Sequence, residues 1–201
     1  MKGVVKYALG PGNMEVRDMP EPDLKPDHVK IEVEAAGICG TDLHIYLNEY
    51  PSNPPVIVGH EVSGTVVDLD GVDDIAIGDP VTAIPTTVVC GECRYCQAGD
   101  LSLCGQRLSI GSGVHGTFTK FVVVPAWAVR KIPANIDIRS GALSEPLCCC
   151  VKAVSMLTRI MAGDITVVTG PGPIGLMTAQ VARAEGAFVI LTGTSIDEER
   201  L

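Results

Sequence analysis

Ile165-Thr-Val-Val-Thr-Gly170-Pro-Gly172-Pro-Ile-Gly175 is the stretch on which the fold turns. Its first five residues are all β-branched and end at glycines, the pattern of a short buried strand. Gly170, Gly172 and Gly175 then match G-x-G-x-x-G, and Leu176 to Ala184 continues in helix-forming residues up to Gly186. A strand, a glycine-rich turn and a helix in that order make the motif a dinucleotide-binding fingerprint. In such a turn Gly170 suits the tight bend, Gly172 lets a pyrophosphate approach the backbone, and Gly175 lets helix and strand pack closely. Free amides at the helix start then meet the anion, so Gly170, Gly172, Pro173, Ile174 and Gly175 are the candidate phosphate-binding residues. Phe188 to Thr192 supplies the second strand of a βαβ unit.

Upstream the texture differs. From Met1 to about Pro133 short β segments alternate with Gly and Pro, most clearly at Val29, Ile31, Val33 and Ala35, which is a barrel or sandwich pattern. Further strands are expected at Val62 to Leu69, Val81 to Ile84 and Thr119 to Val124, each bounded by turn residues. Helical spacing runs from Ile136 to Met161. The expected domains are therefore residues 1–154 and 155–201.

A chain of 201 residues with 46% hydrophobic and 19% charged residues can bury a core. Its net charge of −9 argues against nucleic acid or an anionic membrane as partner, since both need clustered Lys and Arg. No run of about 18 apolar residues occurs, and Met1 to Tyr7 is a lysine-bearing strand pattern with no signal-peptide character. A soluble cytoplasmic protein is expected.

Eight cysteines in a reducing compartment point to metal rather than disulfides. Cys90-Gly-Glu-Cys93-Arg-Tyr-Cys96, followed by Cys104, places four soft ligands in one lobe of about residues 86–110. Four thiolates close a tetrahedral shell and leave no open position, so a zinc here is structural; an iron–sulfur centre could use the same four sulfurs. Cys39, in Ala36-Gly-Ile-Cys-Gly-Thr-Asp-Leu-His44, and Gly59-His60-Glu61 form a different set. A thiolate, an imidazole and a carboxylate make three ligands and leave the fourth position for water or substrate, as in a catalytic zinc. Cys148, Cys149 and Cys150 are expected to be small, mostly buried helix residues, because adjacent helical side chains diverge too far to share a metal.

Cys39-Gly-Thr-Asp-Leu-His44, Gly59-His60-Glu61-Val-Ser-Gly64 and the four-cysteine lobe follow one another in the order found in zinc-dependent medium-chain dehydrogenases. The chain resembles the N-terminal portion of that family, in the branch of sorbitol, iditol and threonine dehydrogenases, because Glu145-Pro-Leu147 stands where many alcohol dehydrogenases of the superfamily carry a cysteine ligand. The resemblance implies a GroES-like β-barrel catalytic domain followed by the first part of a Rossmann domain. It implies direct zinc ligation by Cys39 and His60, Glu61 as a ligand or its neighbour, and Glu145 on the zinc or on its water. Thr41 and His44 match the family's proton-relay positions, and Thr41 also suits the N-cap of a short helix. Asp70 stands where the family usually has a small residue, with Gly71 one step later, which suggests a shifted turn.

The expected reaction is hydride transfer between a secondary alcohol, polyol or amino alcohol and NAD(P), with two zinc ions per chain and a homo-oligomer when full length. A zinc-stabilised NAD(P)-binding protein, or a reductase without catalytic zinc, is the alternative; the retained Cys39, His60 and Glu61 argue against it. At the end of the second strand Gly193, then Thr194 and Ser195, replaces the acidic residue that would bind ribose hydroxyls, and Arg200 could reach a 2′-phosphate, so the cofactor preference leans to NADP. Asp197, Glu198 and Glu199 pull the other way. A dinucleotide-binding domain needs two βαβ halves and only one is present, so the chain is expected to be an inactive fragment of a longer enzyme.

Overall fold

A computed structural model describes residues 1–200, which gather into two units, Met1–Leu143 and Ser144–Leu201. The second unit starts at Ser144, whereas the sequence divides the expected domains after residue 154.

The first unit is built on two antiparallel sheets. Strand β1 (Lys2–Lys6) lies between β2 (Met14–Asp18) and β4 (Val56–Ile57). The larger sheet has the order β10-β6-β5-β3-β9, with β3 at His28–Gly37, β5 at Glu61–Leu69, β6 at Pro80–Ala83, β9 at Phe121–Pro125 and β10 at Val129–Lys131. Alternation in β3 holds at its start, where Val29 and Ile31 are fully buried and join Val62, Val66, Val81 and Val124 in one core; at the bulge between Val33 and Ala35 both of those residues are only half-buried. Each such side chain contributes about 1.5–3 kcal/mol by leaving water, enough to hold the register against a one-residue slip. That register runs from Val29 opposite Leu69 to Gly37 opposite Glu61 and carries two bulges. Gly71, in the turn after β5, has φ +66°, and a side chain there would meet the Asp27 carboxylate at 2.7 Å. Helix α1 (Gly40–Leu47) follows β3 almost directly. Two short strands, β7 (Thr86–Val88) and β8 (Leu108–Ser109), pair at the base of the cysteine lobe, which carries the one-turn helix α2 (Arg94–Gln97).

In the second unit the helical stretch is α3 (Ser144–Val151), continued by a wider π-helical turn over Lys152–Thr158 that ends at Arg159 with φ 56°. Strands β11 (Ile165–Thr169) and β12 (Phe188–Thr192) pair in parallel, linked by α4 (Pro173–Ala184). Only Val168 of β11 is buried, while Ile165 and Val167 are exposed. The expectation of a buried strand is met on one face alone, since successive side chains point to opposite faces and, among the described residues, α4 covers one of them. The cysteine run differs from expectation too: Cys150 is buried, with Sγ 3.5 Å from the Ile174 carbonyl oxygen, whereas Cys148 and Cys149 are exposed. Neighbouring helical residues are turned about 100° apart, so one of the three faces α4. Among the described residues no helix is long and apolar enough to cross a membrane.

Candidate functional site

Cys39 and the pair His60-Glu61 come together because β3 and β5 are antiparallel. Gly37 pairs with Glu61 across the two strands, Cys39 lies just beyond the end of β3, and His60 just before the start of β5. One sulfur, one imidazole nitrogen and one carboxylate oxygen from Cys39, His60 and Glu61 all lie within 4.8 Å of one another. His60 and Glu61 are buried and Cys39 is half-buried. A soft thiolate, an imidazole and a carboxylate this close match the donor set of a zinc site with an open position.

Glycines make room for these side chains. A Cβ on Gly37 would lie 1.9 Å from Glu61 Oε2, so only glycine lets that carboxylate lie over β3. Gly59, with φ +90°, sets the turn into His60, and its own missing Cβ would fall 2.4 Å from the Phe118 ring.

Asp42, which the sequence reading left without a role, ties the two halves of the site together. It is buried; Oδ2 accepts the Cys39 N–H at 2.9 Å, and Oδ1 accepts the Gly59 N–H at 3.2 Å and lies 3.7 Å from His60 Nδ1. The signal was available in Cys-x-x-Asp, a helix start with the acid at the third helical position. The N-cap of α1 is therefore Cys39 and not Thr41, because the reciprocal bond comes from Asp42. Burial pulls the His60 pKa down from 6.5, but the attraction and hydrogen bonding of Asp42, with a lesser contribution from Cys39, override it and bring the pKa to about 9.

Thr41 lies in the first turn of α1, with Oγ1 3.7 Å from Cys39 Sγ. His44, three residues on and so on the same helix face, is exposed, and its Nδ1 is 2.8 Å from Glu49 Oε2. Glu145 lies in the first turn of α3, in the second unit.

The four-cysteine lobe is closed on itself. Sulfur–sulfur distances are 3.5 Å for Cys93–Cys96, 3.7 Å for Cys90–Cys104 and 3.9 Å for Cys90–Cys96. Four thiolates about 2.3 Å from a central zinc, at tetrahedral angles, would be about 3.8 Å apart, whereas a disulfide needs about 2.05 Å. Gly91 and Gly99, both with positive φ, turn the chain between Cys90 and Cys93 and between Cys96 and Cys104, while the single turn of α2 sets Cys96 over its N-cap Cys93. The Cys90 backbone N–H, then that of Gln106, helps bring the Cys104 thiol down to about 7; burial, then the Cys93 thiol, pushes Cys96 up to about 12. Without a cation the protons in this cluster are thus shared unequally.

In the second unit the fingerprint glycines behave differently from one another. A Cβ on Gly175 would lie 1.8 Å from the Gly170 carbonyl oxygen, while Gly170 and Gly172 face open space on that side. A groove of about 670 Å³ is lined by Gly170, Gly172, Pro173, Ile174 and Gly175. The Gly170 N–H donates to the Thr192 carbonyl at 2.7 Å, which brings the end of β12 beside the glycine turn. Asp197 Oδ2 accepts both the backbone N–H and the hydroxyl of Thr194 at 2.9 Å. Those two bonds, the backbone one first, hold the Asp197 carboxyl below the usual carboxylate range, with a smaller contribution from the charge of Arg200. Ser195 and Arg200 open and close the 3₁₀ turn Ser195–Arg200.

Residues 25–134 match the alcohol dehydrogenase GroES-like domain. Over its whole length the chain is 45% identical to sorbitol dehydrogenase of Halalkalibacterium halodurans, covering 59% of that protein. It is 41% identical to D-arabitol-phosphate dehydrogenase of Enterococcus avium and 38% identical to L-threonine 3-dehydrogenase of Francisella tularensis, again over its whole length and covering 58% of each. A Sinorhizobium meliloti structure described as a zinc-binding dehydrogenase bound to NADP superposes with a TM-score of 0.91 at 42% identity, covering 98% of this chain and 58% of that one. Galactitol-1-phosphate dehydrogenase of Escherichia coli gives a TM-score of 0.86 at 32% identity, covering 100% and 57%. The chain thus spans under two thirds of the length of these relatives.

Proposed function

The chain belongs to the zinc-dependent medium-chain dehydrogenases and carries their GroES-like domain, and on that premise we propose that the whole protein transfers a hydride between NAD(P) and a secondary alcohol, polyol or amino alcohol. The observation that carries this reading is the convergence of Cys39, His60 and Glu61 within 4.8 Å at a buried corner of the β3–β5 pair.

Cys39, His60 and Glu61 would hold a catalytic zinc, with Glu145 on the metal or on its water; Cys90, Cys93, Cys96 and Cys104 would hold a structural one. When bound, the catalytic zinc supplies Lewis-acid polarisation of the alcohol oxygen and the nicotinamide supplies the hydride acceptor. Asp42 faces His60 Nδ1 and fixes the ring, which leaves Nε2 for the metal. Thr41 Oγ1, beside Cys39 Sγ, would take the substrate hydroxyl proton as its own proton passes on to His44, which, exposed and steadied by Glu49, would release one to water. The glycine turn at Gly170, Gly172, Pro173, Ile174 and Gly175 receives the pyrophosphate. Gly193, Thr194, Ser195 and Arg200 support a lean to NADP, which Asp197 opposes by occupying both donors of Thr194. The acidic charge and reduced cysteines fit a cytoplasmic protein, and the family resemblance a homo-oligomer.

The deciding experiment follows NAD(P) reduction by the zinc-loaded whole protein with polyols, L-threonine and short secondary alcohols, alongside metal analysis. About two zinc ions per chain, one readily chelated with loss of turnover, is the expected result. One tightly held zinc and no reduction with any alcohol would overturn the reading, and a tenfold or larger preference for NAD would overturn the lean to NADP.

A further inference from the structure

Lys6 ends β1 opposite Val56 and is fully buried, a place lysine almost never takes without a partner. Its ammonium donates to three backbone carbonyls, one for each N–H: Gly10, Gly12 at 2.7 Å and Tyr46 at 3.4 Å. Two of these carbonyls belong to the β1–β2 turn, where Gly10, Gly12 and Asn13 have positive φ; the third belongs to the last turn of α1. A ring of carbonyl oxygens around a buried monovalent charge is the coordination chemistry of a potassium or ammonium ion. It also places positive charge where the carbonyl end of a helix favours it. The turn and the helix are further clasped by Gly12 N–H to the Tyr46 carbonyl at 2.7 Å and Gly10 N–H to Asn48 Oδ1 at 2.8 Å.

We propose that Lys6 is a built-in monovalent cation, seated in a carbonyl cage between the β1–β2 turn and the C-terminal end of α1, and that it is a positioning residue for Thr41 and His44 on that helix. Removing the side chain beyond Cβ leaves the cage empty and open to a small ammonium ion. The cage itself is independent of any enzymatic activity; only its consequence for turnover rests on the proton-relay reading given above.

The test uses Lys6→Ala in the whole protein with n-propylammonium, which restores the three missing methylenes and the ammonium. Tetramethylammonium is the control, carrying the charge without an N–H donor. The melting temperature of Lys6→Ala should fall and recover by several degrees with propylammonium at about 0.1 M, and not with tetramethylammonium, while the parent protein responds to neither. Zinc content should stay unchanged. With a turned-over alcohol, kcat should fall about tenfold with KM nearly constant, the solvent deuterium effect on kcat should grow, and propylammonium should reverse both. Lys6→Met, which keeps the apolar stem and blocks the channel that propylammonium would enter, should fold, show the same loss and not be rescued. If Lys6→Ala does not fold unaided, its refolding yield with and without propylammonium gives the same comparison. Equal responses to the two ammonium ions would overturn the cage. Thermal rescue with kcat never lowered would overturn the positioning role. Absence of alcohol turnover in the parent protein would instead count against the dehydrogenase reading and leave the melting comparison to decide the cage.

Discussion

Asp42 Oδ1 lies 3.7 Å from His60 Nδ1, while the other oxygen of the same carboxylate takes the Cys39 N–H at 2.9 Å. One buried side chain thus orients two candidate ligands from opposite sides of the site. Asp42→Asn should keep the fold and weaken binding of the exchangeable zinc by about 10- to 100-fold, with the four-cysteine site unaffected. Competition titration against a chromogenic chelator measures both affinities.

The same pair sets a pH dependence in the metal-stripped protein. The folded pKa of His60, about 9, lies above the ordinary 6.5, so its contribution to stability is complete below pH 6.5 and lost as pH rises through about 9. Urea midpoints of the metal-stripped protein should fall across that window, and the slope should flatten in Asp42→Asn. Zinc must displace the same proton, so zinc affinity should rise with pH over the same range.

Gly37→Ala tests the seat of Glu61. A Cβ would lie 1.9 Å from Glu61 Oε2, across a strand pair that cannot separate without breaking the main sheet. The carboxylate must move, so the exchangeable zinc and turnover should be lost at a stability cost of about 1–3 kcal/mol. Metal analysis beside a urea melt separates the two effects.

The two cysteine sites should respond differently to loss of a ligand. Cys39→Ser and His60→Ala should each leave one zinc per chain and a folded, inactive protein. Cys93→Ser or Cys96→Ser should damage folding, since opening a closed four-thiolate shell forfeits metal-linked folding energy. Equal loss of the folded circular dichroism signal in both groups would remove the distinction.

In the second unit Gly175→Ala would place a Cβ 1.8 Å from the Gly170 carbonyl oxygen, a backbone atom with no room to yield. Helix α4 should be pushed off the glycine turn, and the Kd for NAD(P) in the whole protein should rise at least about tenfold. Fluorescence titration with reduced cofactor reads this directly.

The sequence by itself determined what is encoded locally. Cys90, Cys93, Cys96 and Cys104 declare a candidate metal site because all four sulfurs sit in one loop, where spacing alone limits how far apart they can be. Ile165–Thr169 and the three glycines declare the strand, turn and helix of the candidate phosphate site for the same reason, and alternation at the start of β3 reports which face is buried. The set Cys39, His60 and Glu61 was legible as a donor combination, which the resemblance sharpened, but its convergence depends on β3 and β5 pairing so that Gly37 faces Glu61. Tertiary structure alone decided what Lys6 does, and what Asp42 does beyond the capping bond that Cys-x-x-Asp announces. Otherwise each looks in the sequence like an ordinary solvated charge, Asp42 in a helix start and Lys6 at the end of an amphipathic strand. Their partners, Gly59 and His60 for one and Tyr46 for the other, lie far along the chain. Burial makes these charges matter, because polar groups withdrawn from water must find partners inside the protein. Which groups are withdrawn is settled by the packing of distant segments, a property no local spacing records.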